Sequence, residues 1–132
     1  MGDHVLVIGS ANLDVKGRLL VTPIAGSSNA ATIRTSHGGV ARNIAENLAR
    51  LGAPATLLTA LGDDLVGDEL ARHLEEIGVD VGRILRVPGE NSGIYIAALD
   101  TSGDLALGLD DLRIARHITS DYLEANASAF DE

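Results

Sequence analysis

An α/β fold built on a parallel sheet is predicted by three features of this 132-residue chain. Val5-Leu6-Val7-Ile8 is an unbroken, β-branched apolar run, the mark of a strand buried on both faces. Two segments with helical periodicity alternate with such runs, which is the order of a parallel sheet covered by helices. The chain also has fifteen glycines and three aromatic residues, Tyr95, Tyr122 and Phe130. Its core must therefore be Ala, Leu, Ile and Val, closed by tight turns.

Taken in order, the first strand ends at Gly9-Ser10. Residues 15–36 then alternate apolar and polar side chains (Val15, Gly17, Leu19 and Val21 against Lys16, Arg18, Leu20 and Thr22). Pro23 and Gly26-Ser27-Ser28-Asn29 interrupt, and a short extended piece follows near Thr32-Ile33-Arg34-Thr35. This is a half-exposed, hairpin-like excursion. Gly38-Gly39 opens a helix in which Val40, Ile44, Leu48 and Leu51 form one apolar stripe, widened by Ala41, Ala45 and Ala49. Arg42, Glu46 and Arg50 make an i, i+4 charge ladder on another face. Gly52 and Pro54 end this helix.

Thr56 to Leu61 reads as the next buried strand. Gly62-Asp63-Asp64 is a turn whose acid caps a second helix, with Asp68 and Glu69 near its positive end. Val66, Leu70, Leu74 and Ile77 form its stripe, and Gly78 stops it. Val81 to Val87 is a short strand. Gly93–Leu99, a turn at Asp100-Thr101-Ser102-Gly103 and residues 104–109 form a second hairpin. Arg113 to Ile118 and Ser120 to Ala129 read as helical. The two excursions are expected to pair as a small sheet beside the core. Three core strands make a poor doubly wound sheet, since parallel strands need cover and defended edges. The pattern therefore predicts the first part of a larger fold, completed by further sequence or by another chain.

Ten basic against nineteen acidic residues give a net charge of −9. Such a surface repels nucleic acid and anionic membrane, so neither is an expected partner. No apolar run approaches the roughly 18 to 20 residues that cross a bilayer. Met1-Gly2-Asp3-His4 lacks the basic start of a secretory signal, so a cytoplasmic location is expected. There is no cysteine, which excludes disulfides, thiol catalysis and Cys-ligated zinc. Residues 1–57 hold five basic and three acidic groups and are the expected home of a polar or anionic small ligand.

Three elements there carry candidate chemistry. Asn12 and Asp14, two apart after the first strand, point the same way on an extended backbone. Side by side, an amide and a carboxylate suit adjacent sugar hydroxyls, although the same spacing fits a polar turn. Gly38-Gly39 before a helix lets backbone approach a ligand closely, with exposed N–H groups attracting oxygens. Asn43 lies one turn into that helix. His4, His37, His73 and His117 show no metal spacing, and His37 reads as a loop residue. Asp63-Asp64 and Asp110-Asp111 suit capping and turn roles better than a cation. Neither a Gly-x-Gly-x-x-Gly fingerprint nor a P-loop Gly-Lys-Ser/Thr occurs, which disfavours a nicotinamide enzyme or a Walker ATPase.

Taken together, Gly9-Ser10-Ala11-Asn12-Leu13-Asp14, Gly38-Gly39-Val40-Ala41-Arg42-Asn43-Ile44-Ala45, Leu48-Ala49-Arg50-Leu51-Gly52 and Gly62-Asp63-Asp64 with Gly67 resemble the ribokinase-like (PfkB) carbohydrate kinase family. Residues 38–52, with Leu112-Arg113-Ile114 and Ile118-Thr119-Ser120-Asp121-Tyr122-Leu123, are most similar to its pseudouridine kinases. The resemblance implies a ribokinase-like parallel-sheet core over residues 1–14, 37–92 and 110–132. It implies a β lid over 15–36 and 93–109 and a homodimer through that lid. It further implies transfer of the ATP γ-phosphoryl, with Mg2+, to the 5′-hydroxyl of a nucleoside. Asn12, Asp14, Gly38, Gly39 and Asn43 match sugar-binding positions. Tyr95 matches a lid position facing the substrate, where it would stack on a base or pack within the lid. The family's catalytic Asp, in a Gly-Ala-Gly-Asp-like element, its anion hole and most of its ATP and Mg2+ sites lie in a second half that has no counterpart here. The expectation is thus a substrate-binding part without kinase activity on its own. A non-catalytic nucleoside- or sugar-binding module, and a kinase for ribose or another sugar, are the alternatives.

Overall fold

The computed structural model describes residues 4–131. Strand β1 (Val5–Ile8) leads into β2 (Asn12–Leu19), β3 (Ala31–Gly38) and helix α1 (Val40–Arg50). Then come β4 (Ala55–Leu58), β5 (Ala60–Gly62), α2 (Leu65–Glu76), β6 (Leu85–Val87), β7 (Gly93–Leu99) and β8 (Leu105–Asp111). A 3-10 turn (Arg113–His117), α3 (Ser120–Ala125) and a second 3-10 turn (Ala127–Phe130) close the described chain.

The parallel core is in two pieces. β1 pairs with β4, and β5 with β6. The single strand expected over 56–61 is interrupted at Thr59, whose carbonyl leaves the ladder to accept from Leu85 N and Tyr122 Oη. Its two halves thereby face different neighbours. Around them the core is aliphatic: Leu57, Leu58, Leu61, Leu70 and Leu74 are wholly buried. Each such side chain contributes about 1.5–3 kcal/mol of burial.

The two excursions do pair. They form a four-stranded sheet in the order β3-β2-β7-β8, parallel only between β2 and β7. This sheet takes in Asn12 to Asp14, His37, Gly38, Asp110 and Asp111, beyond the bounds expected for the lid. Because β2 runs straight out of the β1 turn, the polar pair Asn12/Asp14 sits at the root of the lid.

Several sequence expectations need correction. Of the expected stripe Val40/Ile44/Leu48/Leu51, Leu48 packs against the core but Val40, Ile44 and Leu51 are exposed. Val40 is 74% and Ile44 46% exposed, and the helix seats Ala41, Arg42 and Ala45 instead. Small residues win because α1 crosses β1 closely: a Cβ on Gly9 would lie 2.9 Å from Ala41 Cβ. The strand expected over 81–87 is only Leu85–Val87, since Asp80 Oδ1 accepts from Gly82 N and turns the chain. The helix expected over 120–129 breaks at Asn126, whose side chain donates to Tyr122 O. α2 buries Leu70 and Leu74 as its stripe predicts, and Asp64 caps it by accepting from Gly67 N at 2.8 Å.

Candidate functional site

The candidate site is built where β2 begins, β3 ends and α1 starts. The β2–β3 register sets Asn12 opposite Gly38 and Asp14 opposite Ser36. Asn12 is buried, and its Nδ2 donates to Asp14 Oδ1 at 2.6 Å. That bond fixes the amide orientation and leaves Asp14 Oδ2 outside it, beside Gly38. A Cβ on Gly38 would lie 2.5 Å from Oδ2, so only glycine admits the carboxylate there. Gly39 has φ 97°, and a Cβ on it would run into the Ser10 carbonyl and Ala11 Cα. Both glycines are thus required by close approach, and Gly39 also by its left-handed backbone. The two segments converge on one another.

Arg42 holds this junction. Its backbone N–H donates to Ser10 O at 3.2 Å, and its Nε to Gly38 O at 3.1 Å. Nη2 donates to Asn43 Oδ1 at 2.6 Å, and Nη1 pairs with Glu46 at 2.6 Å. The expected Arg42/Glu46/Arg50 ladder forms, and its first side chain is only 4% exposed. Burial alone would raise the Glu46 pKa, but hydrogen bonds from Arg50 and Arg42 bring it below the usual carboxylate value. Sequence reasoning missed this positioning role. The i, i+4 charge spacing looks the same on a solvated face as on a site-facing one.

Asn43 is exposed at the first turn of α1, and its oxygen accepts from Arg42, which leaves its amide N–H groups without a protein acceptor among the described residues. Tyr95 stands opposite Asp14 in the β2–β7 register and leans across the sheet, 3.1 Å from where a Cβ on Gly108 would be. It therefore shares a sheet face with Asn12 and Asp14. His37 is part of β3, not of a loop, and alternation turns it to the other face. There it contacts Glu69 at 3.0 Å and stacks on His73 with ring centroids 3.9 Å apart. Burial first, and the neighbouring His37 second, lower the His73 pKa.

A second junction was also missed. Ser92 Oγ accepts from Gly62 N and donates to Asp64 Oδ1, while Ser92 N donates to Asp64 Oδ2. This ties the cap of α2 to the strand that carries Tyr95. Burial would raise the Asp64 pKa, but the Ser92 and Gly67 hydrogen bonds hold it below the ordinary value. No local pattern marks a serine 28 residues away as the partner of a cap.

Chemically, the cluster presents an oriented amide, one unshared carboxylate oxygen, the Asn43 N–H groups and a phenol on a neighbouring strand. Such a set can exchange hydrogen bonds with vicinal hydroxyls. Among the described residues no three of His, Cys, Asp and Glu are grouped to hold a metal ion. No helix among them is long and apolar enough to cross a membrane.

The sequence pattern of the pfkB family carbohydrate kinases matches residues 3–130. The chain is similar to a pseudouridine kinase of Escherichia coli (strain K12), with 43% identity over 121 residues, 92% of this chain and 39% of that protein. A carbohydrate kinase from Agrobacterium tumefaciens superposes with TM-score 0.82 at 27% identity, covering 96% of this chain and 41% of that one. Arabidopsis thaliana ribokinase, solved with ribose and ATP, gives TM-score 0.72 at 28% identity over 84% of this chain and 36% of that one. The chain thus spans about two fifths of the length of these relatives.

Proposed function

The chain belongs to the pfkB family of carbohydrate kinases, and on that premise we propose that it forms the acceptor-binding part of an ATP-dependent kinase acting on the 5′-hydroxyl of pseudouridine. The observation that carries the reading is the convergence of Asp14 on Gly38-Gly39, with Asn12 locked to Asp14 at 2.6 Å. In this reading Asp14 Oδ2 and the Asn12 oxygen accept from ribose hydroxyls. Asn43 donates to a ring or hydroxyl oxygen, and Gly38 and Gly39 let the sugar rest on backbone. Tyr95 borders the base. The 43% identity to a pseudouridine kinase supports the choice of nucleoside.

ATP supplies the phosphoryl group in this proposal, with Mg2+. Residues 1–132 contain no Gly-Ala-Gly-Asp-like element, and among the described residues no cluster of acids is grouped to hold the metal. No catalytic step is therefore assigned to them. What these residues do is orient the acceptor and, through the lid, exclude water from it. In the same reading the protein is cytoplasmic, where ATP is available. It also dimerises through the outer lid face, where Ile33, Ile96, Leu107 and Leu109 are exposed.

Titration calorimetry with pseudouridine, ribose and ATP, beside a phosphoryl-transfer assay, tests the proposal. Pseudouridine heat with neither ATP heat nor transfer is the expected result for the chain alone. Detectable phosphorylation by residues 1–132 would contradict the assignment of catalysis elsewhere. Acceptor binding that a full-length parent also fails to convert to product would favour a non-catalytic sugar-binding module.

A further inference from the structure

At its inner end β3 uses both faces. Gly38 meets Asp14 on one, and His37, the residue before it, turns the other way toward α2. His37 Nε2 donates to Glu69 Oε1 at 3.0 Å, and its ring stacks on His73 with centroids 3.9 Å and planes 25° apart. Glu69 and His73 stand at i and i+4 on α2 and so share one side of that helix. Glu69 Oε2 accepts from Arg72, which fixes the carboxylate. Through these side chains α2 holds β3 at the residue next to the glycine pair. Gly38 in turn stands opposite Asn12, and its carbonyl accepts from Arg42.

This packing accepts a neutral His73 and resists a charged one. A charged imidazole carries two N–H donors. His73 Nδ1 is buried with no hydrogen-bond partner, so protonation leaves a buried N–H without an acceptor while the rings stay stacked. A proton on each ring would add repulsion across the stack. The charged groups facing the pair are Glu69 and Arg72 from α2 and Arg42, Glu46 and Arg50 from α1, and the β2 neighbour of His37 is the apolar Leu13. Both acids are already engaged by arginine, Glu69 by Arg72 and Glu46 by Arg42 and Arg50. Burial first and His37 second hold His73 below its ordinary value of 6.5. The stacked packing is therefore fully stabilising above that pH and loses its advantage as the pH falls below it.

We infer that His37, His73 and Glu69 form a proton-operated clamp that positions the glycine junction of the acceptor site. With both rings neutral, the end of β3 stays on α2 and Gly38 stays against Asp14. Proton uptake at His73 parts the rings, frees the end of β3 and lets Gly38 and Gly39 move away from the carboxylate. Acceptor affinity then falls on acidification. The identity of the acceptor rests on the sugar-binding reading of Asn12 and Asp14, whereas the clamp rests on the packing of the rings. His37 and His73 are positioning residues, acting through Gly38 from the far side of the sheet. By linkage, an acceptor that holds Gly38 in place favours release of the His73 proton to the same extent.

Nuclear magnetic resonance of the chain without ligand tests the clamp, and titration calorimetry with pseudouridine tests what it controls. From about pH 7.5 to about pH 5.5, the Gly38 and Gly39 amide shifts are expected to move with the same midpoint as the His73 ring carbons. They should stay flat in His73→Phe, which keeps a stacked ring but takes up no proton. Over that range pseudouridine affinity should fall about fivefold or more in the unmutated protein and less than about twofold in His73→Phe. Glycine amides indifferent to the titration of His73 would overturn the clamp and leave the sugar reading intact. So would a fall in affinity of the same size in His73→Phe. Glycine amides that follow His73 while pseudouridine binds at no pH would uphold the clamp and sink the sugar reading. The match of midpoints within the unmutated protein keeps the test decisive should the variant not fold.

Discussion

Helices α1 and α2 have nearly the same length and the same kind of apolar repeat, yet they are used differently. α2 sinks Leu70 and Leu74 completely into the core, and an acid caps it. α1 buries Ala41, Arg42 and Ala45, turns Val40 and Ile44 outward, and begins on Gly39 with no side-chain cap. The difference lies in what each helix is for. A large side chain on α2 adds burial. On the inner face of α1 it would push the helix from Ser10 and Ala11 and open the junction where Asp14 meets the glycines. α2 stabilises by volume, whereas α1 positions by being thin.

Substitutions can break or sharpen this contrast. The largest effect is expected at Gly39→Ala. It combines left-handed backbone strain with overlap on Ser10 and Ala11, and a loss of about 4 kcal/mol is expected by denaturant unfolding. Leu74→Ala on α2 should cost about 3 kcal/mol through the cavity it leaves, without altering ligand affinity relative to folded protein. Arg42→Met keeps the volume of the stem but removes the bonds to Gly38 O, Asn43 and Glu46. About 2 kcal/mol is expected, with weakened acceptor binding that Arg42→Lys restores only in part.

A smaller effect concerns pH. The folded state holds His73 below its ordinary pKa of 6.5. As pH falls through that value the unfolded chain takes up a proton that the folded chain resists. Stability should therefore decline on acidification from pH 7.5 toward 5.5, before the carboxylates titrate. Melting temperatures of the unmutated chain and His73→Leu across that range check this, and the decline should be shallower in the variant. Smallest is Ile44→Ser. At a solvent-facing position of α1 it should change stability by less than about 0.5 kcal/mol, where an equally apolar stripe position on α2 would lose several times that.

Much of this was legible in the chain. β-branched runs, glycine stops and the Asp64 cap are local signals, and the alternation of residues 12–18 carries its own facing. Periodicity shows that α1 is amphipathic but not which arc meets the core. That choice was made by the close approach of Ala41 to Gly9, a contact between residues 32 apart. The same blindness hid the burial of Arg42, the role of Ser92 and the division of the central strand at Thr59. Ser92 and Thr59 have partners distant in sequence, and Arg42, whose side-chain partners Gly38, Asn43 and Glu46 are local, is buried by the way α1 packs. The meeting of Asn12, Asp14 and the glycine pair was legible because each lies in a short motif of particular residue types.

The central claim is that Asp14, set against Gly38-Gly39, grips the acceptor's sugar hydroxyls. Titration of pseudouridine into the chain and into Asp14→Asn tests it most directly, since removing a charged acceptor from a hydroxyl costs about tenfold or more in affinity. The account predicts that loss with a nearly unchanged melting temperature. Equal affinity of the two proteins for pseudouridine would contradict it.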